Sequence, residues 1–384
     1  MEAASLAGSP SGRLVPTDGG QQAFVPDLLP RHIELDSSVV FRLDEASRAA
    51  ATLAGVGETL QNPHLLIRPF MRREAVLSSR IEGTQASISD LLLYEASGSR
   101  RPRGDVVEVT NYVLALEHGL QLLDSLPISY RLMNEVHAVL MRGVRGEGQR
   151  PGGLRTNQNW IGSSGTPIDE ARYIPPPANL VRDLIQDWES FANDDLEMPP
   201  LIKCALMHYQ FEAIHPYLDG NGRVGRLLVV LFLCATKILP SPLLYLSAYF
   251  ERDRNEYYDQ LFRVSATGDW QTWLRYFLDG VAEQARDALA RSRGIRELHE
   301  QYRLLLQHRR ASGNALQLMD NLFASPYMTA PLAAVLLGVT NAGARGILGR
   351  LTGAGILGEI PDTWPRLYIA RELLGLIEDP IDSP

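Results

Sequence analysis

The sequence predicts a mainly α-helical protein with one β-hairpin and a C-terminal winged-helix domain. Three observations support this fold class. Apolar residues recur at threefold and fourfold spacing over most of the chain, as on the buried faces of helices. Residues 152–180 instead carry β-type residues on both sides of a Gly/Ser/Pro tip, which is typical of a hairpin. After about residue 315, three short helical patterns precede two short β-type stretches.

The chain has 384 residues, of which 45% are hydrophobic. A chain of this length exceeds what one hydrophobic core usually holds. We therefore expect several regions: a flexible N-terminal arm (1–36), an N-terminal helical region (37–125), a helical core (126–280), a connecting helix (281–314) and the winged helix (315–384). The arm is rich in small and polar residues, and it lacks the basic start and apolar centre of a signal peptide.

Composition indicates a soluble protein of the cytoplasm. The net charge of −8 is spread without long like-charge runs, which argues against a chain that coats nucleic acid or anionic membrane. Cys204 and Cys234 both lie in apolar runs, so we expect buried free thiols in a reducing compartment. The most apolar run, residues 227–235, is shorter than the about 20 residues that span a bilayer, and it predicts a buried helix.

A glycine-rich stretch, "HPYLDGNGRVGR" at residues 215–226, joins two helical patterns. Glycine and asparagine tolerate positive φ, so Gly220, Asn221 and Gly222 predict an irregular turn at the start of the second helix. Gly220, Gly222 and Gly225 also fit the G-x-G-x-x-G fingerprint of dinucleotide-binding folds. That fingerprint follows a strand, whereas the element before this stretch is helical, so we disfavour the Rossmann alternative.

The same stretch carries the residue types that phosphate chemistry needs. A helix that begins after a glycine-rich turn presents unpaired N–H groups and a partial positive charge to phosphate. Arg223 and Arg226 lie on the first turn of that helix and could grip separate phosphate groups. Asp219 beside phosphates implies a cation such as Mg²⁺, and His215 could take a proton from an attacking hydroxyl. Each residue alone has an ordinary surface or helix-end explanation, but together they predict a site for a nucleoside triphosphate.

The pattern HPx-x-[D/E]-GNGR-x-x-R resembles the motif of the Fic domain family (Fic/Doc), with Tyr217 where phenylalanine is commoner. The resemblance extends from about residue 37 to residue 280. The predicted hairpin resembles the β-hairpin flap of that family, and "YY" at 257–258 followed by "GDW" at 268–270 is similar to its downstream pattern. The resemblance therefore implies a Fic-type helical bundle, with the flap, as the catalytic core at 126–280.

The Fic resemblance implies a protein adenylyltransferase, in which a Ser, Thr or Tyr hydroxyl of a target protein attacks the α-phosphorus of ATP and accepts AMP. The roles it implies are as follows: His215 as general base, Asp219 as Mg²⁺ ligand, Gly220, Asn221 and Gly222 as phosphate nest, and Arg223 and Arg226 as partners of the β- and γ-phosphates. Tyr257 and Tyr258 would lie near the adenine, although buried packing residues are an equal alternative.

The second glycine of the motif helps to choose between chemistries within the family. The Doc kinase branch resembles this site but has lysine at that position, so Gly222 favours AMP transfer over phosphate transfer. The target is expected to enter as an extended peptide along the flap edge, where main-chain hydrogen bonds read little sequence. The protein itself is therefore among the possible targets.

A second pattern, "LSSRIEGTQ", lies far upstream, and its Ser78, Glu82 and Gly83 are similar to the inhibitory motif [S/T]-x-x-x-E-[G/N] of the Fic family. The pattern is loose, but it falls on a predicted helix that ends at a glycine, as in the branch whose inhibitory helix precedes the core. The resemblance implies that the Glu82 carboxylate pairs with Arg226 in the place of the γ-phosphate. Some members with such a glutamate also remove AMP, so a de-AMPylase remains an alternative.

The C-terminal region reads as three short helices, the third capped by Thr340 or Asn341, and a small β-wing. Such a third helix often enters a DNA groove, but its exposed charges are chiefly Arg345 and Arg350, beside an acidic C-terminal end. A packing or dimerisation module fits equally, and a homodimer is the assembly we expect. The alternative to an enzyme is a winged-helix regulator or interaction protein with the Fic core as nucleotide sensor; an intact His215 favours the enzyme.

Overall fold

The computed structural model describes residues 3–59, 64–97, 104–144, 146–162, 165–361 and 363–378. It is 64% helical, which confirms the mainly α prediction. The helices are α1 (Ala3–Leu6), α2 (Ser37–Thr59), α3 (His64–Ile81), α4 (Ile88–Ser97), α5 (Gly104–Leu122), α6 (Tyr130–Leu140), α7 (Ala178–Asn193), α8 (Pro200–Ile214), α9 (Asn221–Ala235), α10 (Ser247–Arg252), α11 (Arg254–Thr267), α12 (Trp270–His308), α13 (Gly313–Ala324), α14 (Ala330–Leu337), α15 (Asn341–Gly353) and α16 (Arg371–Glu378). The strands are β1 (Gly12–Pro16), β2 (Gln22–Pro26), β3 (Tyr327–Thr329), β4 (Gly358–Ile360) and β5 (Leu367–Ile369).

Two helices, α8 and α9, form the centre of the molecule. Nearly all of their residues are buried, so both are apolar around most of their circumference, as expected of helices inside a core. The predicted buried helix at residues 227–235 is therefore confirmed. α8 packs against α7 and α12, and α9 packs against α5 and α6. The loop between α8 and α9 consequently joins two largely buried helices.

The N-terminal arm, which we expected to be flexible over residues 1–36, contains regular structure where it is described. β1 and β2 form an antiparallel hairpin in which Leu14 pairs with Phe24. Phe24 is fully buried, and its N–H donates to Ile174 O over 2.8 Å. The short apolar run around Phe24 is held by contact with a segment that is distant in sequence. The hairpin could therefore not be predicted from the polar residues that surround this run.

The segment expected to form the flap is irregular. Within the described part of residues 152–180, one antiparallel bridge joins Ile161 to Tyr173, and a single 3₁₀ turn covers Ile168–Glu170. The regular hairpin strands predicted here are not present in the described residues. Prolines at positions 167 and 175–177 remove main-chain donors that a β-ladder needs, which accounts for the short pairing.

The helix that carries the upstream pattern, α3, ends as the sequence predicted. Its last helical residue is Ile81, and Gly83 follows with φ of +96°. The Gly83 N–H donates to Arg80 O over 2.9 Å, and the Thr84 N–H donates to Ser79 O over 3.1 Å. Glycine is the residue that adopts such a left-handed terminus without strain. α3 packs against α5, α9 and α10, beside the α8–α9 loop.

The C-terminal part is joined to the core by α12, which runs through residue 280 without a break. The boundary predicted between core and connecting helix therefore lies inside one helix. α13, β3, α14, α15, β4 and β5 follow in that order, and the three strands form an antiparallel sheet in the order β3-β5-β4. Thr340 caps α15 by accepting from the Gly343 N–H over 3.1 Å. The winged-helix assignment itself stays a prediction, and the acidic residues after 378 lie outside the described residues.

Two further features concern membrane spans and cysteines. In the described part of the chain, no single helix combines the length and the hydropathy of a membrane span; α14 and α15 do so only when joined, across a bend of 105°. Both cysteines are free thiols; Cys204 is buried and Cys234 is partly buried.

Candidate active site

The α8–α9 loop is shorter than the sequence suggested. His215 ends α8 in the left-handed region with φ of 51°, and Gly220 precedes α9 with φ of 78°. Asn221 and Gly222 already belong to α9 and are not part of an irregular turn. The Asn221 side chain pins the loop, because it accepts from the Tyr217 N–H over 2.7 Å and donates to Tyr217 O over 2.8 Å. Asn221 thus shapes the loop through its side chain.

The His215 ring is set up to accept a proton. Its Nδ1 lies 3.3 Å from Glu212 O, so the tautomer that satisfies this contact carries its proton on Nδ1 and leaves Nε2 as an acceptor. Burial, assisted by the positive charge of Arg155, lowers the pKa of His215 to about 4. The imidazole is therefore neutral at neutral pH, as a general base must be.

A buried arginine that the sequence analysis missed supports His215. Arg155 Nε donates to His215 O over 2.9 Å, and its Nη2 donates to Ile214 O over 3.3 Å. The Arg155 N–H also donates to Pro216 O over 2.9 Å. These bonds satisfy carbonyl groups at the end of α8, where a positive charge is favourable. Burial lowers the pKa of Arg155 to about 10, so it remains charged.

A second residue that the sequence analysis missed, His137 on α6, supports the other end of the loop. Its Nε2 lies 3.0 Å from Asp219 O, and its Nδ1 accepts from the Gly152 N–H over 2.9 Å. The ring stacks on Tyr217 with centroids 3.9 Å apart, and Asn134 Oδ1 accepts from the Tyr217 hydroxyl over 2.8 Å. Asn134 and His137 are polar residues among the apolar positions of α6, and this was the signal in the sequence that could have indicated their role.

Arg226 is bound by the end of α3. Its Nε donates to Ser78 Oγ over 2.8 Å, and its Nη2 donates to Ser78 O over 2.9 Å and to Glu82 Oε1 over 2.6 Å. The structure therefore brings Ser78 and Glu82 of the upstream pattern into contact with Arg226 of the glycine-rich stretch. Burial alone would raise the pKa of Glu82, but the charge of Arg226 outweighs it and holds that pKa below its usual range.

The Glu82 carboxylate lies against the first turn of α9. A Cβ atom at Gly222 would be only 2.2 Å from Glu82 Oε1, so glycine alone leaves room for the carboxylate. The first N–H groups of a helix lack intrahelical acceptors and attract anions. About a third of the Glu82 side chain is exposed (34%), whereas only 2% of the Arg226 side chain is exposed. The carboxylate therefore covers a buried guanidinium from the solvent side.

Arg223 lies on the same turn of α9 and is also buried. Its Nη1 is 3.5 Å from Glu108 Oε2, and its Nη2 is 3.8 Å from Asp219 Oδ1. Within the described part of the chain, Nε and Nη1 of Arg223 and Nη1 of Arg226 are buried without a hydrogen-bond partner. Buried donors of this kind are normally satisfied, so these are available to an anion with several oxygen atoms. Glu108, on α5, was not predicted.

The residues around Asp219 do not form a metal centre by themselves. Among the described residues, no group of three or more His, Cys, Asp or Glu side chains could hold a metal ion. Asp219 Oδ1 accepts from the Gly220 N–H over 2.6 Å, which leaves Oδ2 for a cation. One carboxylate oxygen beside phosphate oxygens is the donor set that Mg²⁺ commonly uses. The residues therefore fit Mg²⁺ when a phosphate ligand supplies the other oxygen atoms.

The two tyrosines expected near the adenine differ in their surroundings. Tyr257 is 1% exposed, its hydroxyl lies 2.9 Å from His208 Nε2, and its ring stacks on Phe250 at 4.4 Å. Of the two alternatives for Tyr257, a position near the adenine or a buried packing role, its surroundings fit the packing role. Tyr258 is partly buried, and its hydroxyl lies 3.5 Å from Ile81 O, at the end of α3.

A buried carboxyl group lies behind the motif and was not predicted. A Cβ atom at Gly225 would be 2.1 Å from Glu212 Oε1, which explains why residue 225 is glycine. Oε1 of Glu212 has no hydrogen-bond partner among the described residues. Burial, partly offset by Arg226, raises the pKa of Glu212 to about 8. The third glycine of the motif therefore accommodates an acid on α8, which accounts for a glycine here without a dinucleotide.

Comparison with known proteins identifies two domains. Residues 40–121 match the Fic/DOC family N-terminal domain, and residues 127–233 match the Fic/DOC family domain. The chain is 29% identical over 207 residues to protein adenylyltransferase fic-1 of Caenorhabditis elegans and 24% identical over 225 residues to protein adenylyltransferase Fic of Drosophila yakuba. These matches cover 51% and 57% of this chain, but only 37% and 41% of the two relatives. The chain thus spans about two-fifths of the length of these relatives.

Solved structures of Fic proteins share the fold. A Fic family protein from Desulfovibrio desulfuricans aligns with a TM-score of 0.59 and 19% identity, covering 88% of this chain and 97% of that protein. A Fic-domain signalling protein from Bacteroides thetaiotaomicron aligns with a TM-score of 0.52 and 17% identity, covering 66% of this chain and 96% of that protein. At these identities the likeness concerns the fold alone. The Fic N-terminal and Fic domains that the sequence resembled are the two that match at residues 40–121 and 127–233.

Proposed function

We propose that the chain is a protein adenylyltransferase that transfers AMP from ATP to a hydroxyl side chain of a target protein. One observation carries the proposal: the neutral His215 ring lies on the same short loop as a helix N-terminus flanked by two buried guanidinium groups with unused donors. The adenylyltransferase names of the relatives at 24–29% identity support the same class of enzyme.

The phosphate chain of ATP would lie at the first turn of α9. Its negative charge is complementary to the helix N-terminus and to Arg223 and Arg226, both of which are almost fully buried. Asp219 is the residue that would hold Mg²⁺, which, when bound, neutralises part of the phosphate charge. The arginines therefore bind and orient the β- and γ-phosphates, so that the α-phosphorus faces His215.

His215 performs the proton transfer in this reaction. The target hydroxyl oxygen forms a bond to the α-phosphorus, its proton passes to His215 Nε2, and the bond from the α-phosphorus to the bridging oxygen breaks as pyrophosphate leaves. The Nδ1 contact to Glu212 O keeps Nε2 free for the proton, and Arg155 holds the backbone of the same residue. The target would approach along the irregular segment near Ile161 as an extended peptide, and the protein itself would be one target.

Glu82 would restrain this activity by competition with ATP. Its carboxylate already occupies the anion position at α9 and engages Nη2 of Arg226, so the γ-phosphate cannot take its place while the pair is formed. ATP would then bind with its α-phosphate displaced from the target hydroxyl. Because in-line orientation is worth several powers of ten in rate, a small displacement suffices to silence the enzyme.

A second activity, hydrolytic removal of AMP, is favoured by one specific observation. Glu82 is partly exposed, and its pKa lies below its usual range, so it is ionised at neutral pH beside the loop that carries His215. An ionised carboxylate at that place could orient a water molecule for attack on an AMP–protein bond. The same Glu82 would then inhibit transfer and support removal.

Labelled ATP tests the proposal directly. We expect Glu82→Gly protein to incorporate label from α-labelled ATP but not from γ-labelled ATP, and Glu82→Gly/His215→Ala protein to incorporate neither. Incorporation from γ-labelled ATP would instead indicate phosphate transfer. ATP binding without incorporation of either label would favour the alternative, a nucleotide sensor joined to a C-terminal winged-helix domain that binds DNA or a protein partner.

A further inference from the structure

One face of α6 forms the floor of the α8–α9 loop. Asn134 and His137 lie on this face, Met141 follows the last residue of α6, and each of the three touches the loop. Asn134 accepts from the Tyr217 hydroxyl, and His137 contacts Asp219 O. Met141 lies so close that a Cβ atom at Gly220 would be 2.8 Å from its sulfur atom. The left-handed Gly220 is thus required both by its φ of 78° and by this close approach.

The bonds of His137 define which of its nitrogen atoms carries the proton. The Gly152 N–H donates to Nδ1 over 2.9 Å, so Nδ1 has no proton of its own. The proton is therefore on Nε2, which donates to Asp219 O over 3.0 Å. Position 137 requires a donor on one side of the side chain and an acceptor on the other. A neutral imidazole provides both, and most other side chains do not. Phenylalanine would fill the same space and meet neither.

His137 also connects the two halves of the site. On one side it holds the carbonyl group of Asp219, the residue directly before Gly220, which caps the N-terminus of α9. On the other side it holds Gly152, which has φ of +77° and lies three residues before Arg155. Arg155 in turn fixes the carbonyl group of His215. One ring therefore links the segment that would bind phosphate to the segment that supports the base.

We propose that His137 is a positioning residue whose Nε2–H sets the place of Asp219 and of the α9 N-terminus for the phosphate chain of ATP. The inference rests on the proposed function, since it concerns how that loop receives ATP. His137 itself would touch neither ATP nor the target. Loss of the Asp219 bond should therefore weaken ATP binding more than it slows proton transfer at His215.

Two amide substitutions separate the two bonds of the ring. In His137→Gln the side-chain N–H₂ group can reach the position of Nε2 and donate to Asp219 O. In His137→Asn the shorter amide reaches only the position of Nδ1 and can accept from Gly152. Both variants are polar and smaller than histidine, so a loss of packing alone would affect both. His137→Phe, which retains the ring but has no donor, completes the set.

The test measures ATP affinity in the presence of Mg²⁺ and the rate of self-labelling, for the full-length chain in the Glu82→Gly background. We expect His137→Gln to bind ATP within about threefold of the parent, and His137→Asn and His137→Phe to bind about tenfold more weakly, since one hydrogen bond is worth about that factor. The labelling rate at saturating ATP should differ less among the variants. Equal affinity of all three variants, or equal loss in His137→Gln and His137→Asn, would overturn the inference.

A measurement on the unsubstituted protein avoids any folding defect of the variants. Nitrogen NMR of ¹⁵N-histidine-labelled protein should show His137 protonated at Nε2 and unprotonated at Nδ1, and the opposite tautomer would contradict the inference. If the Glu82→Gly parent fails to bind ATP at all, the proposed function fails. If the parent binds ATP and the three variants do not differ from it, only the role of His137 fails.

Discussion

Glu82 Oε1 lies 2.6 Å from Arg226 Nη2, and the same oxygen fills the space that a Cβ atom at Gly222 would need. The end of α3 and the start of α9, 144 residues apart in sequence, are joined by this contact. The carboxylate thereby satisfies both a buried guanidinium and a helix N-terminus. Removing it should expose an anion site without disturbing the core, because about a third of the Glu82 side chain is already exposed.

Glu82→Gly should raise the rate of self-labelling with ATP by about two powers of ten or more, because orientation of the α-phosphate is restored. ATP affinity should change by less than about tenfold, since the proposed inhibition displaces ATP without preventing its binding. Glu82→Gln is the matched variant: it can still bond to Arg226 but carries no charge, so an intermediate labelling rate is expected. An unchanged labelling rate in Glu82→Gly would show that the carboxylate does not restrain the reaction.

Gly222→Ala should destabilise the protein by about 1–2 kcal/mol while Glu82 is present, because the added methyl group would be 2.2 Å from its carboxylate. Arg226 Nη1 would be 3.0 Å away and lies at the end of a flexible side chain, which can shift. Gly222 is helical, so alanine in the Glu82→Gly background should be neutral or stabilising by up to about 1 kcal/mol. Denaturant unfolding of the two single variants and the double variant measures this coupling. Additive effects would mean that the carboxylate does not occupy the space beside residue 222.

Activity should depend on pH as expected for a base that is neutral over the physiological range. Burial lowers the pKa of His215 to about 4, and Glu82 is a group that raises it, so the pKa in Glu82→Gly protein lies at or below that value. The labelling rate of Glu82→Gly protein should therefore stay constant as the pH falls from 8 through about 6.5, where an ordinary histidine would be half protonated. A rate that halves near pH 6.5 would contradict a base with the lowered pKa of His215.

Arg155→Lys should lower the labelling rate at saturating ATP by about tenfold or more, because lysine can hold fewer of the carbonyl groups at the end of α8. ATP affinity should change by less than about threefold, since Arg155 bonds to the carbonyl groups of Ile214, His215 and Pro216, which precede α9. Arg42→Lys, at a partly exposed arginine paired with Asp279, is the control. A loss confined to ATP affinity would contradict the role of Arg155 in holding the base.

The sequence predicted what is encoded locally. The helices were predicted because their apolar spacing is long and regular. The candidate site at residues 215–226 was predicted because a histidine, an acid and two arginines lie within one short stretch of sequence. The ends of α3 and α15 were also predicted, since Gly83 and Thr340 have local conformational or capping roles. These features depend on neighbours only a few residues away.

The missed features all depend on residues far apart in the chain. Arg155 bonds to a carbonyl group 60 residues later, and His137 bonds to one 82 residues later, so neither role leaves a pattern in the adjoining sequence. The N-terminal hairpin contacts a distant segment through a hydrogen bond from Phe24 to Ile174. This contact cannot be seen in the local sequence, whose small and polar residues predicted a flexible arm. In the described part of the expected flap, pairing is limited to one bridge between Ile161 and Tyr173, because β-type residues indicate a strand but do not supply the partner it needs.

The most direct test of the central claim is the intact mass of Glu82→Gly protein after incubation with ATP and Mg²⁺. A gain equal to one or more AMP groups, absent from Glu82→Gly/His215→Ala protein that still binds ATP, is the predicted result. A gain of phosphate groups, or an AMP gain that persists without His215, would contradict the account.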